Sequence, residues 1–285
     1  MHWETSRHRI DLTAPRVMGI VNVTPDSFSD GGRFDSTHSA VAHCERLLAE
    51  GADILDIGGE SSRPGIPPVP LAEELARVLP VLAEAVRLGI PISVDTYKPE
   101  VMRHALDLGA DIINDISGLR EPGSRDVVAA HPRCGICLMH MHGEPESMQR
   151  SPMQGDAVPQ VVQFLERASK ALRELGVAPG RIAWDPGIGF GKTVEQNFAL
   201  LARQRELLMG GHPLLVGWSR KSSLGAVTGL AVQERMAPSL AAALLAVERG
   251  AHIVRVHDVK ETVAALKVRG AMIATEQGKG RNPHP

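Results

Sequence analysis

Cysteine, aromatic residues and excess charge are all scarce in this sequence. Three cysteines among 285 residues are too few for a disulfide framework and agree with a reducing compartment. The 31 Lys and Arg residues nearly balance the 33 Asp and Glu residues, which leaves a formal net charge of −2. This balance predicts no nucleic-acid partner and no anionic lipid surface.

Long hydrophobic runs are also missing. The most apolar stretch, 236–247, is well short of the ~20 residues that a membrane span requires. The opening MHWETSRHRIDL lacks the apolar block of a secretory signal. We therefore expect a cytoplasmic protein with no membrane partner. With 43% apolar residues, the chain can bury a sizeable core.

One pattern recurs along the chain: a glycine ends a helix-like stretch, and a short apolar run follows and closes on a polar residue. A glycine in that place is typical of a left-handed helix stop. The runs are too short for helices and rich in Ile and Val, which is typical of parallel strands buried on both faces. Eight strands are predicted, at 17–22, 51–56, 89–95, 109–114, 136–142, 182–185, 214–219 and 250–255.

Helix-length amphipathic segments separate most of these strands. Eight alternating units of about 36 residues predict a (β/α)8 barrel, also called a TIM barrel, as a single domain over 1–275 with a flexible tail at 276–285. A doubly wound open sheet is the alternative, but it would gather polar residues at one switch point. The barrel is favoured because polar residues end nearly all the strands. Helices are predicted at 39–50, 71–88, 101–108, 158–175, 195–208, 234–249 and 259–274.

The first two loops that follow strands have compositions suited to ligands. The segment 22–32, NVTPDSFSDGG, combines an amide, carboxylates and one of the few aromatic residues, Phe28, which favours a mobile lid over a plain connection. The segment 58–65, GGESSRPG, places Ser61, Ser62 and Arg63 beside glycines. A guanidinium and hydroxyl donors can hold an oxyanion, although a surface turn remains the alternative.

Polar residues at the ends of other strands suggest a heterocycle and an anion. Asp95, Asn114 and Asp185 offer the acceptors and donors that fit the edge of a pterin or a purine, although helix capping is an alternative. Arg255 and His257 lie two residues apart, on the same side of the last strand, where cationic or donor groups fit a diphosphate.

Two glycine- and lysine-containing segments need separate interpretation. The run 185–192, DPGIGFGK, lacks the first glycine of a P-loop, and its glycine spacing differs from that of the dinucleotide fingerprint. It is better interpreted as a loop that presents Phe190 over the barrel mouth. Lys221, after the seventh strand, fits either an anion site or a Schiff-base aldolase.

Together these motifs resemble the bacterial dihydropteroate synthases. The resemblance rests on NVTPDSFSDGG, GGESSRPG, SVDTYKPEV at 93–101, INDISG at 113–118, LMHM at 138–141, DPGIGFGK, SRKS at 219–222 and RVHDV at 255–259. It implies an enzyme that joins 4-aminobenzoate to 6-hydroxymethyl-7,8-dihydropterin diphosphate with Mg²⁺, usually as a homodimer.

The resemblance also implies roles for individual residues. One departure concerns Ser62, where the family usually has Thr next to the pocket that sulfonamides share. The residues that would bind the pterin are Asp95, Asn114, Met139, Asp185, Lys221 and Arg255. The residues that would bind the diphosphate are Asn22, Ser61, Arg63, Arg255 and His257. Asn22 would also bind Mg²⁺. The aminobenzoate set corresponds to Phe28, Ser62, Pro64, Phe190, Ser219, Lys221 and Ser222.

The expected mechanism is an S_N1-like step. Breaking the bond between the pterin methylene and oxygen is the difficult event, because an aromatic amine is already neutral near pH 7. We expect Arg63, Lys221, Arg255 and His257 to disperse the charge on the departing diphosphate and Asp30 to face the methylene cation. Two other classes stay open: a Schiff-base aldolase that uses Lys221, and a pterin-binding module without synthase activity.

Overall fold

The structure is a computed structural model that describes residues 1–24, 33–61, 67–145 and 147–276, with the side chains of 33–36 left aside. Short apolar strands alternate with helices along most of the chain. The strands are β1 (His2–Glu4), β2 (Arg9–Asp11), β3 (Arg16–Asn22), β4 (Ile54–Gly58), β5 (Ile92–Asp95), β6 (Ile112–Asp115), β7 (Gly135–Met139), β8 (Ile182–Asp185), β9 (Leu215–Val216) and β10 (Ile253–Val256).

The helices lie between these strands. They are α1 (Arg33–Glu50), α2 (Leu71–Ala85), α3 (Pro99–Asp107), α4 (Ser124–Ala130), α5 (Ala157–Glu174), α6 (Val194–Ala202), α7 (Arg205–Leu208), α8 (Ser222–Thr228), α9 (Met236–Glu248) and α10 (Val259–Glu276). Within the described ranges, none of them is both long and apolar enough to cross a bilayer.

The strands β3 to β10 form one parallel sheet that closes on itself. Their order is β8-β7-β6-β5-β4-β3-β10-β9. Trp184 of β8 bridges in parallel to Leu214, and its backbone N–H donates to the Pro213 carbonyl at 2.8 Å, which joins the two edge strands. The predicted (β/α)8 barrel is confirmed. In such a barrel the carboxyl ends of all the strands open at one mouth.

The opposite end of the barrel is closed by a hairpin that the sequence pattern did not reveal. The strands β1 and β2 pair antiparallel, Trp3 is fully buried, and its indole N–H donates to the Arg181 carbonyl at 2.9 Å. Trp3 packs in one apolar cluster with inward-facing residues such as Met18 and Ile54. The hairpin thereby seals the bottom and leaves the mouth as the open end.

Element boundaries differ modestly from the predicted ones. The strand predicted at 136–142 ends at Met139, and the one predicted at 214–219 is reduced to Leu215–Val216. The helix predicted at 195–208 is divided into α6 and α7. The short helix α4 was not predicted, because two turns give too few residues for a clear period. A helix start was expected at the serines that flank Arg220 and Lys221, and α8 begins there, at Ser222.

Candidate active site

A cavity of about 420 Å³ opens at the carboxyl ends of the barrel strands. Every predicted site residue in the described part of the chain lines it, whereas Phe28, Asp30, Ser62, Arg63 and Pro64 lie outside the described residues. The chain therefore brings together residues that are more than 200 positions apart. The predicted residues that line the cavity are Asn22, Ser61, Asp95, Asn114, Met139, Asp185, Phe190, Ser219, Lys221, Ser222, Arg255 and His257.

Arg255 is the centre of a charged network deep in the cavity. Its Nε donates to Asp56 Oδ2 at 2.5 Å, and its Nη2 donates to Asp95 Oδ2 at 2.7 Å. The Asn114 amide donates from Nδ2 to the same Asp56 oxygen at 3.0 Å. These bonds link the ends of β10, β4, β5 and β6, and they fix the plane of the guanidinium.

Asp56 is a functional residue that the sequence reasoning did not assign. It is fully buried, and its second oxygen, Oδ1, has no hydrogen-bond partner among the residues that the structure describes. By accepting from Asn114 Nδ2, it orients the side-chain amide, whose other group, Oδ1, is a hydrogen-bond acceptor. A carboxylate inside the apolar run 54–58 was the available signal, because a buried carboxylate needs a partner.

Burial sets the protonation of the carboxylates that face the cavity. Burial raises the pKa of Asp95, and the Arg255 guanidinium opposes that rise. Burial likewise raises the pKa of Asp185, whereas the backbone N–H of Gly187 and the charge of Lys221 lower it. The Gly187 N–H donates to Asp185 Oδ1 at 2.7 Å. Burial is thus the dominant influence on both carboxyl groups, and a specific neighbour limits the rise in pKa of each.

Lys221 lies against the aromatic wall of the cavity. Its Nζ is 4.3 Å from the centroid of the Phe190 ring, a distance suited to a cation–π contact. Burial lowers the pKa of Lys221 to about 8, although Asp185 acts in the opposite direction. Lys221 therefore remains mostly charged at neutral pH, between the carboxylates of the deep end and the Phe190 wall.

His257 and Ser219 form a hydrogen-bonded pair near the mouth. Ser219 Oγ lies 2.9 Å from His257 Nδ1 and accepts from the His257 backbone N–H at 3.2 Å. Burial, with the nearby Arg220 and Arg255, lowers the pKa of His257 to about 3. Of the two possibilities for His257, cation or neutral donor, the structure supports the neutral donor.

Other residues on the cavity wall had not been assigned a role. Glu60 accepts from the Tyr97 hydroxyl at 2.9 Å and from Lys98 Nζ at 2.5 Å. Arg235 donates to the Arg220 carbonyl at 3.3 Å. Glu60 lies within the GGESSRPG motif, which was a usable signal, whereas nothing in the sequence around Arg235 distinguishes it from a surface residue.

The expected magnesium ion would have few protein ligands among the described residues of the cavity. Among the residues that the structure describes, no group of three or more His, Cys, Asp or Glu side chains could hold a metal. Asn22, at the end of β3, offers one amide oxygen to the cavity. Mg²⁺ usually keeps several waters and binds few protein groups together with substrate phosphates. The residues therefore fit a Mg²⁺ ion held mainly by a bound diphosphate.

His140, directly after β7, is a buried imidazole next to this site. Its Nδ1 has no hydrogen-bond partner in the described part of the chain, and its ring packs edge-on against Phe164 with centroids 5.0 Å apart. Burial, followed by the charge of Lys192, lowers the pKa of His140 to about 2. The folded protein therefore holds a neutral imidazole that takes up a proton once the chain unfolds in mild acid.

The variant His140→Phe is expected to reduce the loss of stability in acid. Between about pH 6.5 and pH 2 the unfolded wild type binds one proton more at this position, so its stability falls with falling pH by about 1.4 kcal/mol per unit. The variant lacks this contribution. Urea unfolding at pH 7, 6, 5 and 4.5 measures the difference, and parallel stability curves for the two proteins would exclude a neutral buried His140.

Known proteins of one family are similar to this chain over most of its length. A family model for pterin binding enzymes matches residues 18–257. The dihydropteroate synthase of Neisseria meningitidis serogroup B is 51% identical over 276 residues, which cover 95% of this chain and 97% of that protein.

Two solved structures are similar over nearly the whole chain. The Burkholderia cenocepacia dihydropteroate synthase complexed with 7,8-dihydropteroate has a TM-score of 0.89 and 50% identity, covering 97% of this chain and 98% of that one. The Xanthomonas albilineans dihydropteroate synthase with 4-aminobenzoic acid has a TM-score of 0.90 and 48% identity, covering 96% and 99%. This chain belongs to the dihydropteroate synthase family of pterin binding enzymes.

Proposed function

We propose that this transferase joins 4-aminobenzoate to 6-hydroxymethyl-7,8-dihydropterin diphosphate and releases 7,8-dihydropteroate and diphosphate. One observation carries the proposal: a single cavity holds heterocycle-binding groups, an ordered guanidinium and an aromatic wall next to a lysine. Family membership supports it, because the matching relatives are dihydropteroate synthases.

The pterin is proposed to bind at the deep end of the cavity. Asp95 and Asp185 carry carboxylates that accept from ring N–H and amino groups, and Asn114 offers its side-chain carbonyl oxygen. Met139 and the Arg255 guanidinium would pack against the faces of the ring, and Lys221 would donate to its edge.

The diphosphate is proposed to bind nearer the mouth. Arg255 supplies a fixed guanidinium and His257 a neutral imidazole donor, while Asn22 and Ser61 line the same cavity. Arg63 completes this set as a prediction outside the described residues. A magnesium ion held by Asn22 and the diphosphate oxygens would add positive charge to the leaving group.

The aminobenzoate is proposed to lie along the outer wall. Phe190 gives an apolar face for its ring, and Ser219, Lys221 and Ser222 give polar contacts for its carboxylate. Lys221 would thus contact both substrates where they meet. Phe28, Ser62 and Pro64 remain predicted members of this pocket outside the described residues.

The proposed reaction breaks the bond between the pterin methylene and the diphosphate oxygen. Charge develops on that oxygen, and preorganised positive groups such as Arg255 and Lys221 stabilise it. The amine nitrogen of 4-aminobenzoate then bonds to the methylene carbon and loses a proton. We propose that Asp30 stabilises the positive methylene, a role that stays a prediction.

The proposed function is tested by mixing the purified protein with both substrates and Mg²⁺. Diphosphate and dihydropteroate are expected in equal amounts. Release of diphosphate without dihydropteroate would mean hydrolysis and would contradict the proposal. Borohydride trapping with a carbonyl substrate addresses the aldolase alternative, and we expect no label on Lys221. A pterin-binding module would bind the pterin and form no product.

We also propose a cytoplasmic homodimer. Leu245 of α9 and Val268 and Met272 of α10 are 47%, 74% and 49% exposed, and exposed apolar groups on adjacent helices suit a contact with a second copy. Sedimentation equilibrium measures the mass, and a monomer at micromolar concentration would contradict the dimer. The location stays a prediction that agrees with three buried, free thiols.

A further inference from the structure

Lys192 is a buried lysine that the proposed reaction does not use. Burial lowers its pKa to about 7, whereas the charge of Asp185 acts in the opposite direction. The residue is 2% exposed, and its Nζ donates to the carbonyls of His140 at 3.2 Å, Gly187 at 2.8 Å and Phe190 at 3.0 Å. An ammonium has three N–H donors, so this geometry uses all of them. All three acceptors belong to the main chain.

Lys192 offsets an unfavourable arrangement of carbonyl groups. The oxygens of His140, Gly187 and Phe190 converge on one point, where their dipoles would repel one another without a cation. The loop lies very close to the chain after β7: a Cβ at Gly187, whose φ is +66°, would be 1.9 Å from the His140 oxygen. Only glycine permits this approach.

The segment that Lys192 holds forms one wall of the cavity. Ile188, Gly189 and Phe190 line the cavity, and Lys192 lies behind them. Gly189 is fixed from two other sides: its N–H donates to Asn197 Oδ1 at 2.8 Å, and its carbonyl accepts from Gln149 Nε2 at 2.5 Å. Side-chain hydrogen bonds therefore set the position of this wall.

The deep end of the cavity depends less on Lys192. Asp185 belongs to β8, where it pairs with Met139 and its carbonyl accepts from the His140 backbone N–H at 3.0 Å. The strand ladder holds Asp185 in place even when the following loop loosens. Loss of the Lys192 side chain should thus displace the 188–190 wall more than the backbone of Asp185.

We propose that Lys192 is a positioning residue that fixes the 188–190 wall and thereby determines how tightly the aminobenzoate binds. This inference rests on the proposed function, which assigns Phe190 to the aminobenzoate. Lys192 touches neither substrate and acts through the wall. Replacing Lys192 should therefore raise the KM for 4-aminobenzoate much more than the KM for the pterin diphosphate. A general loss of structure would not produce this selective change.

The matched control for Lys192 lies just before the same strand, at its opposite end. Arg181 is 5% exposed and also donates to main-chain carbonyls, namely those of Cys134 and Val128, both at 2.8 Å, and Pro132 at 3.4 Å. It is a buried cation of the same kind, far from the mouth. Arg181→Met should therefore show any change in the kinetics that results only from the lower stability of a protein that has lost a buried cation.

The experiment measures kcat and both KM values for the wild type, Lys192→Met, Lys192→Arg and Arg181→Met. For Lys192→Met we expect the KM for 4-aminobenzoate to rise about tenfold or more and the KM for the pterin diphosphate to change less than about twofold. Lys192→Arg keeps a cation with several donors and should recover part of the aminobenzoate affinity. Arg181→Met should leave both KM values unchanged.

Gln149→Ala provides a second variant should Lys192→Met fail to fold. Gln149 is exposed, and its removal loosens the same wall at Gly189, so a smaller rise in the KM for 4-aminobenzoate is expected. Equal changes in both KM values, an unchanged KM for 4-aminobenzoate, or the same selective rise in Arg181→Met would overturn the inference. A wild type that forms no product would instead overturn the proposed function and, with it, this inference.

Discussion

Replacing Arg255 with methionine is expected to lower kcat/KM for the pterin diphosphate by about 10³-fold, at the upper end of what one preorganised charge contributes. Arg255 is assigned to both the pterin and the diphosphate, so its loss affects binding and departure of the leaving group. The variant also leaves two carboxylates, Asp56 and Asp95, without their shared partner. Steady-state kinetics with each substrate varied in turn measures the first effect.

The same variant should be less stable by about 3–5 kcal/mol, the usual consequence of removing one member of a buried ion pair. Because unpaired buried carboxylates have raised pKa values, the unfolded state releases their protons first as the pH rises. The stability deficit should therefore be larger at pH 8 than at pH 5. Urea unfolding of both proteins at pH 5 and pH 8 shows whether the stability deficit grows with pH, as expected.

Arg16→Met is the matched control for Arg255→Met. Arg16 pairs with Asp53 at 3.1 Å near the opposite end of the barrel, where the two side chains are 29% and 30% exposed. A partly exposed pair contributes about 0–1 kcal/mol, so this variant should stay close to the wild type in stability and activity. A similar loss of activity in both variants would refute the role of Arg255.

Replacing Lys221 with methionine is expected to lower kcat/KM by about 10²-fold or more, because we propose that Lys221 contacts both substrates where they meet. The variant should also shift the pH dependence. Lys221 lowers the pKa of Asp185, so its removal lets burial raise that pKa further. The acid limb of kcat/KM for the pterin diphosphate should then move to higher pH. A pH–rate profile from pH 5 to 9 measures the shift.

Lys170→Met is the control for Lys221→Met. Lys170 lies on α5, 71% exposed, and makes a long contact of 3.8 Å with Glu174. It should keep the wild-type rate and pH profile. If Lys221→Met lost activity without any movement of the acid limb, the proposed coupling between Lys221 and Asp185 would be wrong, although a role for the charge in catalysis would stand.

Most of the barrel could be predicted because its signals are local. Four of the predicted strands are short, Ile- and Val-rich or Leu-rich runs between a glycine and a polar residue, and the others are similarly short apolar runs. Such a run has one favourable environment, a sheet covered on both faces. The hairpin around Trp3 could not be predicted in this way. Three-residue strands carry almost no periodicity, and the burial of Trp3 depends on a barrel bottom that forms from distant segments.

The candidate site was predictable where geometry follows from topology. Polar residues at the ends of parallel strands must meet at one mouth, so Asp95, Asn114 and Arg255 could be grouped before their contacts were known. Asp56, the partner of Arg255 and Asn114, closes the predicted strand 51–56 and could have been grouped with them, but the sequence analysis did not assign it. The neutral state of His257 also escaped prediction, since it results from burial, which no local pattern reports.

The central claim is that one cavity binds the pterin deep inside and the benzoate along the outer wall. A crystal structure of the chain with bound 7,8-dihydropteroate tests this claim most directly. We expect the pterin within hydrogen-bond distance of Asp95, Asn114 and Asp185, and the benzoate ring beside Phe190. A product bound in the opposite orientation, or outside this cavity, would contradict the account.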